Sequence, residues 1–175
     1  FSGNKMKFNR LEMAKQNIKQ FEYKNRQEYT ELIKIIYKYA LGEAEEYEII
    51  IGNIIRQVLE AFSTFQYKKN IEKISTDSFI LNDIPKQYRA YFNNLMYRLV
   101  LHGGSHREEQ VKALDDLNFF SVISSEEKIR TAKDVLCYLY ILNAKHVLSH
   151  LKDSGNNVKS NLERWCSDIE NMSVA

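Results

Sequence analysis

Apolar positions recur at helical spacing along most of this chain, and the pattern is clearest over residues 51–65. Seven apolar side chains there make one continuous face: Ile51, Ile54, Ile55, Val58, Leu59, Phe62 and Phe65. The opposite stripe is polar and consists of Asn53, Arg56, Glu60 and Thr64. The spacing predicts an amphipathic helix that buries its apolar face against other helices.

The same periodicity predicts further helices over residues 26–41, 85–101, 124–151 and 158–172, and a weakly amphipathic one over 4–23. Gly42 is positioned to end the first of these helices, Pro85 to begin the next, and Ser124 or Ser125 to cap the one after. We expect a connection with at most one short helical turn over residues 71–84. The acidic run from Glu43 to Glu48 is expected to start the central helix, where carboxylates favour the positive end of the dipole, rather than to bind metal.

Composition supports an all-α fold, since one Pro and six Gly leave few breaks and β-branched residues are mostly Ile at helical spacing. We therefore predict a bundle of about six helices. At 175 residues with 44% hydrophobic content, the chain suits one sizeable core. Residues 26–175 are expected to form a single helical domain and residues 1–25 a helical stub. Because the chain begins with Phe1-Ser-Gly-Asn, we interpret it as a piece of a longer polypeptide.

Charge and cysteine content exclude few functions, but they limit the kind of RNA site, metal site and cellular location that we expect. The formal charge of +2 arises from 25 basic and 23 acidic side chains, so any RNA site has to be local. Cys137 and Cys166 are too few and too isolated for a disulfide framework or a zinc site. No apolar run is long enough for a membrane span, and no signal peptide opens the chain. We expect a cytoplasmic protein.

The helix over 124–151 has an almost wholly apolar middle, residues 135–142, and should be the most buried element. Near its end, His146 and His150 are four residues apart, a spacing able to bind zinc. No third ligand is evident in the sequence. We therefore expect no metal.

Arg56 and Glu60 are one turn apart on the polar stripe of the central helix, which makes them neighbours. One interpretation is an exposed ion pair, which contributes only about 0.3–0.5 kcal/mol. Its order, with Arg first, is the less favourable one for helix stability. The other interpretation is phosphate chemistry, because a guanidinium fork binds phosphate oxygens and a carboxylate beside it can orient the fork or move a proton.

Two further stretches suit RNA. Lys68 and Lys69, next to Tyr67, could contact phosphate and stack on a base, although a solvated helix end has the same composition. After the helix over 85–101 comes His102-Gly-Gly-Ser-His106-Arg107, where paired glycines allow a sharp reversal. A histidine on such a turn suits general acid or base catalysis, although a surface loop with solvated histidines is equally consistent.

Taken together, these residues resemble a known family. Asn53-Ile-Ile-Arg-Gln-Val-Leu-Glu-Ala-Phe62, followed by a helix ending in Arg98-Leu-Val-Leu-His-Gly-Gly-Ser-His106, is similar to the C-terminal nuclease domain of bacterial anticodon nucleases of the PrrC and RloC type. Those domains belong to the HEPN group of helical ribonucleases. The resemblance covers roughly residues 47–151.

The resemblance implies a HEPN-like fold and a metal-independent endoribonuclease that cuts a tRNA anticodon loop and leaves a cyclic phosphate. It assigns catalysis to Arg56, Glu60 and His106. Substrate contacts are expected from Asn53, Lys68, Lys69, His102 and Arg107. In the family, an ATPase precedes and controls the nuclease in anti-phage defence. No Gly-rich phosphate loop occurs here, so that ATPase is expected outside this chain.

The same resemblance implies a homodimer and no cofactor. Two alternatives remain at this stage. The first is a HEPN-like module that binds RNA or a partner protein without cutting. The second is a structural domain that dimerises an ATPase.

Overall fold

A computed structural model of the chain describes residues 28–74, 76–101, 120 and 122–174, and of residues 100, 101, 173 and 174 only the backbone. The described residues form helices and turns and contain no strand, which confirms the all-α prediction. The helices are α1 (residues 28–40), α2 (Ile51–Phe62), α3 (Ile71–Ile74), α4 (Ser78–Asp83), α5 (Lys86–Met96), α6 (Ser125–Leu142), α7 (Ala144–Leu151) and α8 (Val158–Val174). The helix predicted over residues 4–23 lies outside the described residues.

Helix α6 is the centre of the core, as its apolar middle predicts. Val135, Leu136, Cys137 and Leu139 have no exposed surface. The helix packs against α2, α7 and α8, and α5 packs against α8. Each of these partners is amphipathic, so all of them bury their apolar faces toward one core.

Helix α2 buries the six apolar positions that periodicity assigns to it from Ile51 to Phe62. Phe65 was also predicted to be buried, and this is wrong, because its side chain is 79% exposed. The chain continues α2 as a π-helical turn, Ser63–Tyr67. A π turn has more residues than an α turn, so it rotates the following side chains off the buried face. A second π turn, Tyr97–Leu101, continues α5.

The helix predicted over residues 124–151 is broken into α6 and α7. Asn143 leaves the helical conformation with φ −155° and ψ 83°, and its side chain accepts a hydrogen bond from the backbone N–H of His146. Asparagine is a strong N-cap residue, so it stops one helix and starts the next. At the other end, Ser124 caps α6 as predicted, accepting from the N–H of Glu127.

Residues 71–84 contain more structure than predicted. Both α3 and α4 form there, and they bury Ile71, Ile74, Ile80 and Ile84. Asp77 caps α4 by accepting from the N–H of Phe79 at 2.9 Å. The expectation of at most one helical turn was wrong, because four isoleucines hold this polar stretch against the core.

The acidic run also differs from its prediction. Glu45–Tyr47 form a short 3₁₀ turn and α2 begins only at Ile51, so the carboxylates do not lie in its first turn. Instead, Glu48 accepts hydrogen bonds from Ser125 at 2.7 Å and Lys128 at 3.2 Å. These bonds tie the turn before α2 to the start of α6.

The remaining boundaries agree with the sequence. Gly42 ends α1 with a φ of +79°, a conformation that L side chains rarely adopt, and Pro85 immediately precedes α5. Helix α8 buries Leu162, Trp165 and Ile169 as predicted. Within the described ranges, no helix combines the length and apolar character needed to cross a membrane.

Removing the hydroxyl group should have different effects on stability at two buried tyrosines. Tyr138 donates to the carbonyl of Ile74 at 2.7 Å, whereas the hydroxyl of Tyr39 has no hydrogen-bond partner among the described residues. We predict that Tyr138→Phe lowers the free energy of unfolding by about 1–3 kcal/mol, because the Ile74 carbonyl is then left unsatisfied. Tyr39→Phe should be neutral or stabilising. Urea denaturation of both variants tests this, and equal losses would contradict it.

Candidate functional site

Arg56 and Glu60 form the pair that their spacing predicts. The Nε of Arg56 donates to Oε1 of Glu60 at 3.0 Å, and the two side chains are 32% and 48% exposed. Both project from the face of α2 opposite its buried stripe. Such an exposed pair contributes only about 0.3–0.5 kcal/mol to stability, so both groups can serve a ligand without cost to the fold.

Asn53 is exposed one turn before Arg56 on the same stripe. Beside it, Gly52 lies against the ring of Phe120, and a Cβ built on Gly52 would be 2.4 Å from that ring. Only glycine permits this contact. The contact brings the chain back against the first turn of α2 at Phe120.

His102, His106 and Arg107 lie outside the described residues, so their roles stay predictions. The chain enters this stretch after Leu101, at the end of the π turn that follows α5. Three residues earlier, the guanidinium of Arg98 is 3.8 Å from the carboxylate of Glu127 in the first turn of α6. Arg98, which precedes this stretch, therefore contacts α6, and Phe120, which follows it, contacts α2.

Lys68 and Lys69 differ in their surroundings. Lys68 is exposed and has a φ of +54°, which ends the π turn. Lys69 pairs with Asp77 at 3.2 Å, and this hydrogen bond contributes most to lowering the pKa of Asp77. Tyr67 is half-buried with its ring against Phe62. Of the residues predicted to contact RNA here, Lys69 and Tyr67 thus already contact other residues of the fold.

A polar cavity that the sequence did not reveal lies between α5 and the first half of α6. Its volume is about 470 Å³, and its wall includes Tyr91, Arg98, Glu127, Arg130 and Asp134. Tyr91 donates to Oδ2 of Asp134 at 2.6 Å and accepts from Arg130 at 3.4 Å. The signal that could have found it is Asp134 itself, a carboxylate in the middle of an otherwise buried helix.

Asp134 is 5% exposed, and this burial raises its pKa to about 6 against the lowering effect of the Tyr91 hydroxyl and Arg130. Burial and the hydrogen bond to Asp134 raise the pKa of Tyr91 to about 12. A carboxylate with a pKa near neutrality can hold or release a proton, and perturbed groups of this kind concentrate at functional sites.

The two histidines of α7 join α1 to the core. Tyr29 bonds Nε2 of His146 at 3.0 Å, and Thr30 bonds Nδ1 of His150 at 2.8 Å. Burial, and then the neighbouring His150, lower the pKa of His146 to about 4. No group of three or more side chains suited to holding a metal ion occurs in the part of the chain that the structure describes.

Cys137 and Cys166 are free and buried. The Cys137 thiol donates to the carbonyl of Leu162 at 4.0 Å, and the interaction with the Cys166 thiol, together with burial, raises the pKa of Cys137. A buried thiol of this kind is unreactive at neutral pH.

Comparisons of the chain with protein-family models, with curated proteins and with solved structures find no match.

We predict that His146 makes the fold acid-sensitive. Its pKa is about 4 in the folded chain against 6.5 for an unperturbed histidine, so protonation favours unfolding. The stability that neutral His146 contributes is fully present above pH 6.5 and is lost as the pH falls toward 4. The loss between pH 7 and 5 should be roughly 2 kcal/mol larger in the wild type than in His146→Gln. Urea denaturation over this range measures it, and identical pH profiles would contradict the prediction.

Asp134 should have the opposite effect to His146 on the pH dependence of stability. Its raised pKa means that the ionised form costs stability above pH 6, whereas the protonated form is tolerated. Asp134→Asn keeps an acceptor for Tyr91 and should be more stable than the wild type by about 2 kcal/mol at pH 8. The gain should shrink as pH falls through 6 toward 4. Thermal unfolding at several pH values tests this, and a pH-independent difference would refute it.

Proposed function

We propose that this chain is the nuclease part of an ATPase-linked anti-phage protein and that it cleaves tRNA in the anticodon loop without a metal ion. Arg56, Glu60 and His106 are the proposed catalytic residues. The observation that carries the proposal is the Arg56–Glu60 pair, joined at 3.0 Å and accessible on the outer face of a rigid helix. A guanidinium beside a carboxylate suits a reaction in which charge develops on a phosphate.

The rigidity of α2 supports this role. Ile51, Ile55, Val58, Leu59 and Phe62 are at most 1% exposed, so packing fixes the helix along its length. Side chains on such a helix are held in place before substrate binds. Catalysis by positioning and electrostatic stabilisation depends on groups of this kind.

The proposed reaction is an internal transfer. The ribose 2′-hydroxyl attacks the adjacent phosphorus, the bond to the 5′-oxygen breaks, and a 2′,3′-cyclic phosphate and a 5′-hydroxyl remain. Arg56 stabilises the added negative charge on the phosphate oxygens. Glu60 orients Arg56 or accepts the 2′-hydroxyl proton, and His106 exchanges a proton with the reacting groups.

His106, the proposed third group, lies in the sequence between Leu101 and Phe120. His106 follows Leu101 by five residues, and five residues span at most about 17 Å. The described residues that bound this stretch contact α6 at Glu127 and α2 at Gly52. Gly52 is one turn from Arg56.

The further proposed features follow from the family resemblance. Asn53, Lys68, Lys69, His102 and Arg107 are proposed to contact tRNA. We also propose that the protein acts in the cytoplasm as a homo-oligomer and that its ATPase lies outside this chain. Exposed Asn53 and Lys68 are consistent with RNA contacts on the α2 side of the molecule.

We predict that Arg56→Gln, Glu60→Gln and His106→Gln each lower the rate of tRNA cleavage by about 10²–10⁴-fold, the usual loss for such groups. The variants at Arg56 and Glu60 should stay folded, because an exposed pair contributes only about 0.3–0.5 kcal/mol. Gel analysis of total tRNA incubated with each protein in a chelating buffer measures the rate.

Glu163→Gln is the matched control. It breaks the Lys159–Glu163 pair on α8, which has the same four-residue spacing and a distance of 3.6 Å. Cleavage should be unchanged in this variant. Equal losses in Glu60→Gln and Glu163→Gln would overturn the assignment of the catalytic pair. Tight tRNA binding without any cleavage by the wild type would instead favour a binding module.

A further inference from the structure

The polar cavity between α5 and α6 has no role in the proposed cleavage step. At about 470 Å³, it is within the range of about 300–1,000 Å³ that small-molecule sites occupy. Its wall is built from two helices and carries charged groups of both signs. Such a wall selects a ligand by its chemistry as well as by its size.

The two guanidinium groups of the cavity are held loosely. Arg98 is 45% exposed and meets Glu127 at 3.8 Å, which is a long ion pair. Arg130 is exposed, and its Nη2 bonds the hydroxyl of Tyr91 at 3.4 Å, near the limit for a hydrogen bond, and the Sδ of Met172 at 3.1 Å. Because these contacts are long or go to a thioether sulfur, which is a weak acceptor, a phosphate can compete for both forks. Arginine forks bind phosphate oxygens in pairs, which makes these two groups a suitable phosphate clamp.

The cavity is nevertheless not a simple anion site, because Glu126, Glu127 and Asp134 also line it. Three carboxyl groups against two guanidinium groups would repel a bare anion. A ligand that fits must therefore bring hydrogen-bond donors as well as negative charge. A nucleotide has both, since its ribose and base offer O–H and N–H donors and its phosphate offers acceptors.

The cavity also lies at the end of α6 that is tied to α2. Ser124 and Glu126 in its wall flank Ser125, and Ser125 donates to Glu48, three residues before the start of α2 at Ile51. Arg98 approaches the same end of α6 from α5. The cavity therefore lies beside the end of α6 that is bonded to the turn leading into α2.

We propose that this cavity binds one nucleotide of a single-stranded RNA, with Arg98 and Arg130 on its phosphate and the carboxyl groups on its ribose and base. The choice of RNA as the ligand rests on the proposed function. The cavity would then be a subsite that positions the strand relative to the cleavage pair.

Isothermal titration calorimetry of the intact chain tests the subsite. The probes are a non-cleavable 2′-O-methyl tetranucleotide, guanosine and adenosine 5′-monophosphates, and inorganic phosphate. We expect binding in that order of affinity, with Arg98→Gln and Arg130→Gln each weakening the tetranucleotide about tenfold through one lost charge-assisted bond. Arg164→Gln is the control, since Arg164 lies on α8, bonds only weakly to Asn161 at 3.4 Å, and does not line the cavity.

Several results would overturn the proposal. These are no binding of any nucleotide, equal affinity for inorganic phosphate and nucleotides, or binding that Arg98→Gln and Arg130→Gln leave unchanged. Equal affinity for the tetranucleotide and the monophosphates would refute the assignment to an RNA strand. Thermal unfolding of each variant shows whether the fold survives.

The test also separates this inference from the nuclease proposal, because a 2′-O-methyl probe has no nucleophile to attack the phosphate. Binding that depends on Arg98 and Arg130, in a protein that cuts no tRNA, would support the subsite and end the nuclease proposal. Cleavage with normal rates in both arginine variants would support the nuclease and end the subsite.

Discussion

Burial of α6 is the constraint on which the rest of the described structure depends. A helix with core on nearly every side has to find partners for each polar group it carries, because an unsatisfied buried group costs about 1–3 kcal/mol. Those partners come from the surrounding elements. The hydroxyl of Tyr138 reaches the carbonyl that ends α3, Asp134 accepts from Tyr91 on α5, and Lys128 bonds Glu48 before α2. Apolar packing draws the helices together, and these bonds determine how they are placed around α6.

The packing of α2 also explains how this helix can carry the proposed catalytic pair. Burial of one large apolar side chain is worth about 1.5–3 kcal/mol, and α2 buries six, whereas its Arg56–Glu60 pair is worth a small fraction of that. The position of α2 therefore does not depend on the two residues that it presents. The cavity beside α6 has the opposite character, since its Asp134 is buried and its charge is costly to the fold. The Arg56–Glu60 pair is thus exposed on a stably packed helix, whereas Asp134 is a charged group buried within the core.

Periodicity alone predicted the all-α fold, the buried face of α2 from Ile51 to Phe62, and the neighbouring positions of Arg56 and Glu60, because each depends on contacts within one or two turns. The features that were predicted wrongly or not at all depend on other interactions. Phe65 is exposed because the chain changes from α to π geometry, and Asn143 breaks a long apolar run by capping α7. Asp134 signals a buried carboxylate in the sequence, but its partner Tyr91 could not be predicted, because the two residues are 43 positions apart and meet only through packing.

The proposed nuclease activity is tested most directly by the chemistry of the RNA ends that the chain would leave. Internal attack by a 2′-hydroxyl, assisted by Arg56 and Glu60, needs no water and no metal in the cleavage step. Mass spectrometry of tRNA fragments produced in EDTA should therefore find 2′,3′-cyclic phosphate and 5′-hydroxyl ends. Fragments that carry 3′-hydroxyl and 5′-phosphate ends would contradict the account, because those ends require water as the nucleophile.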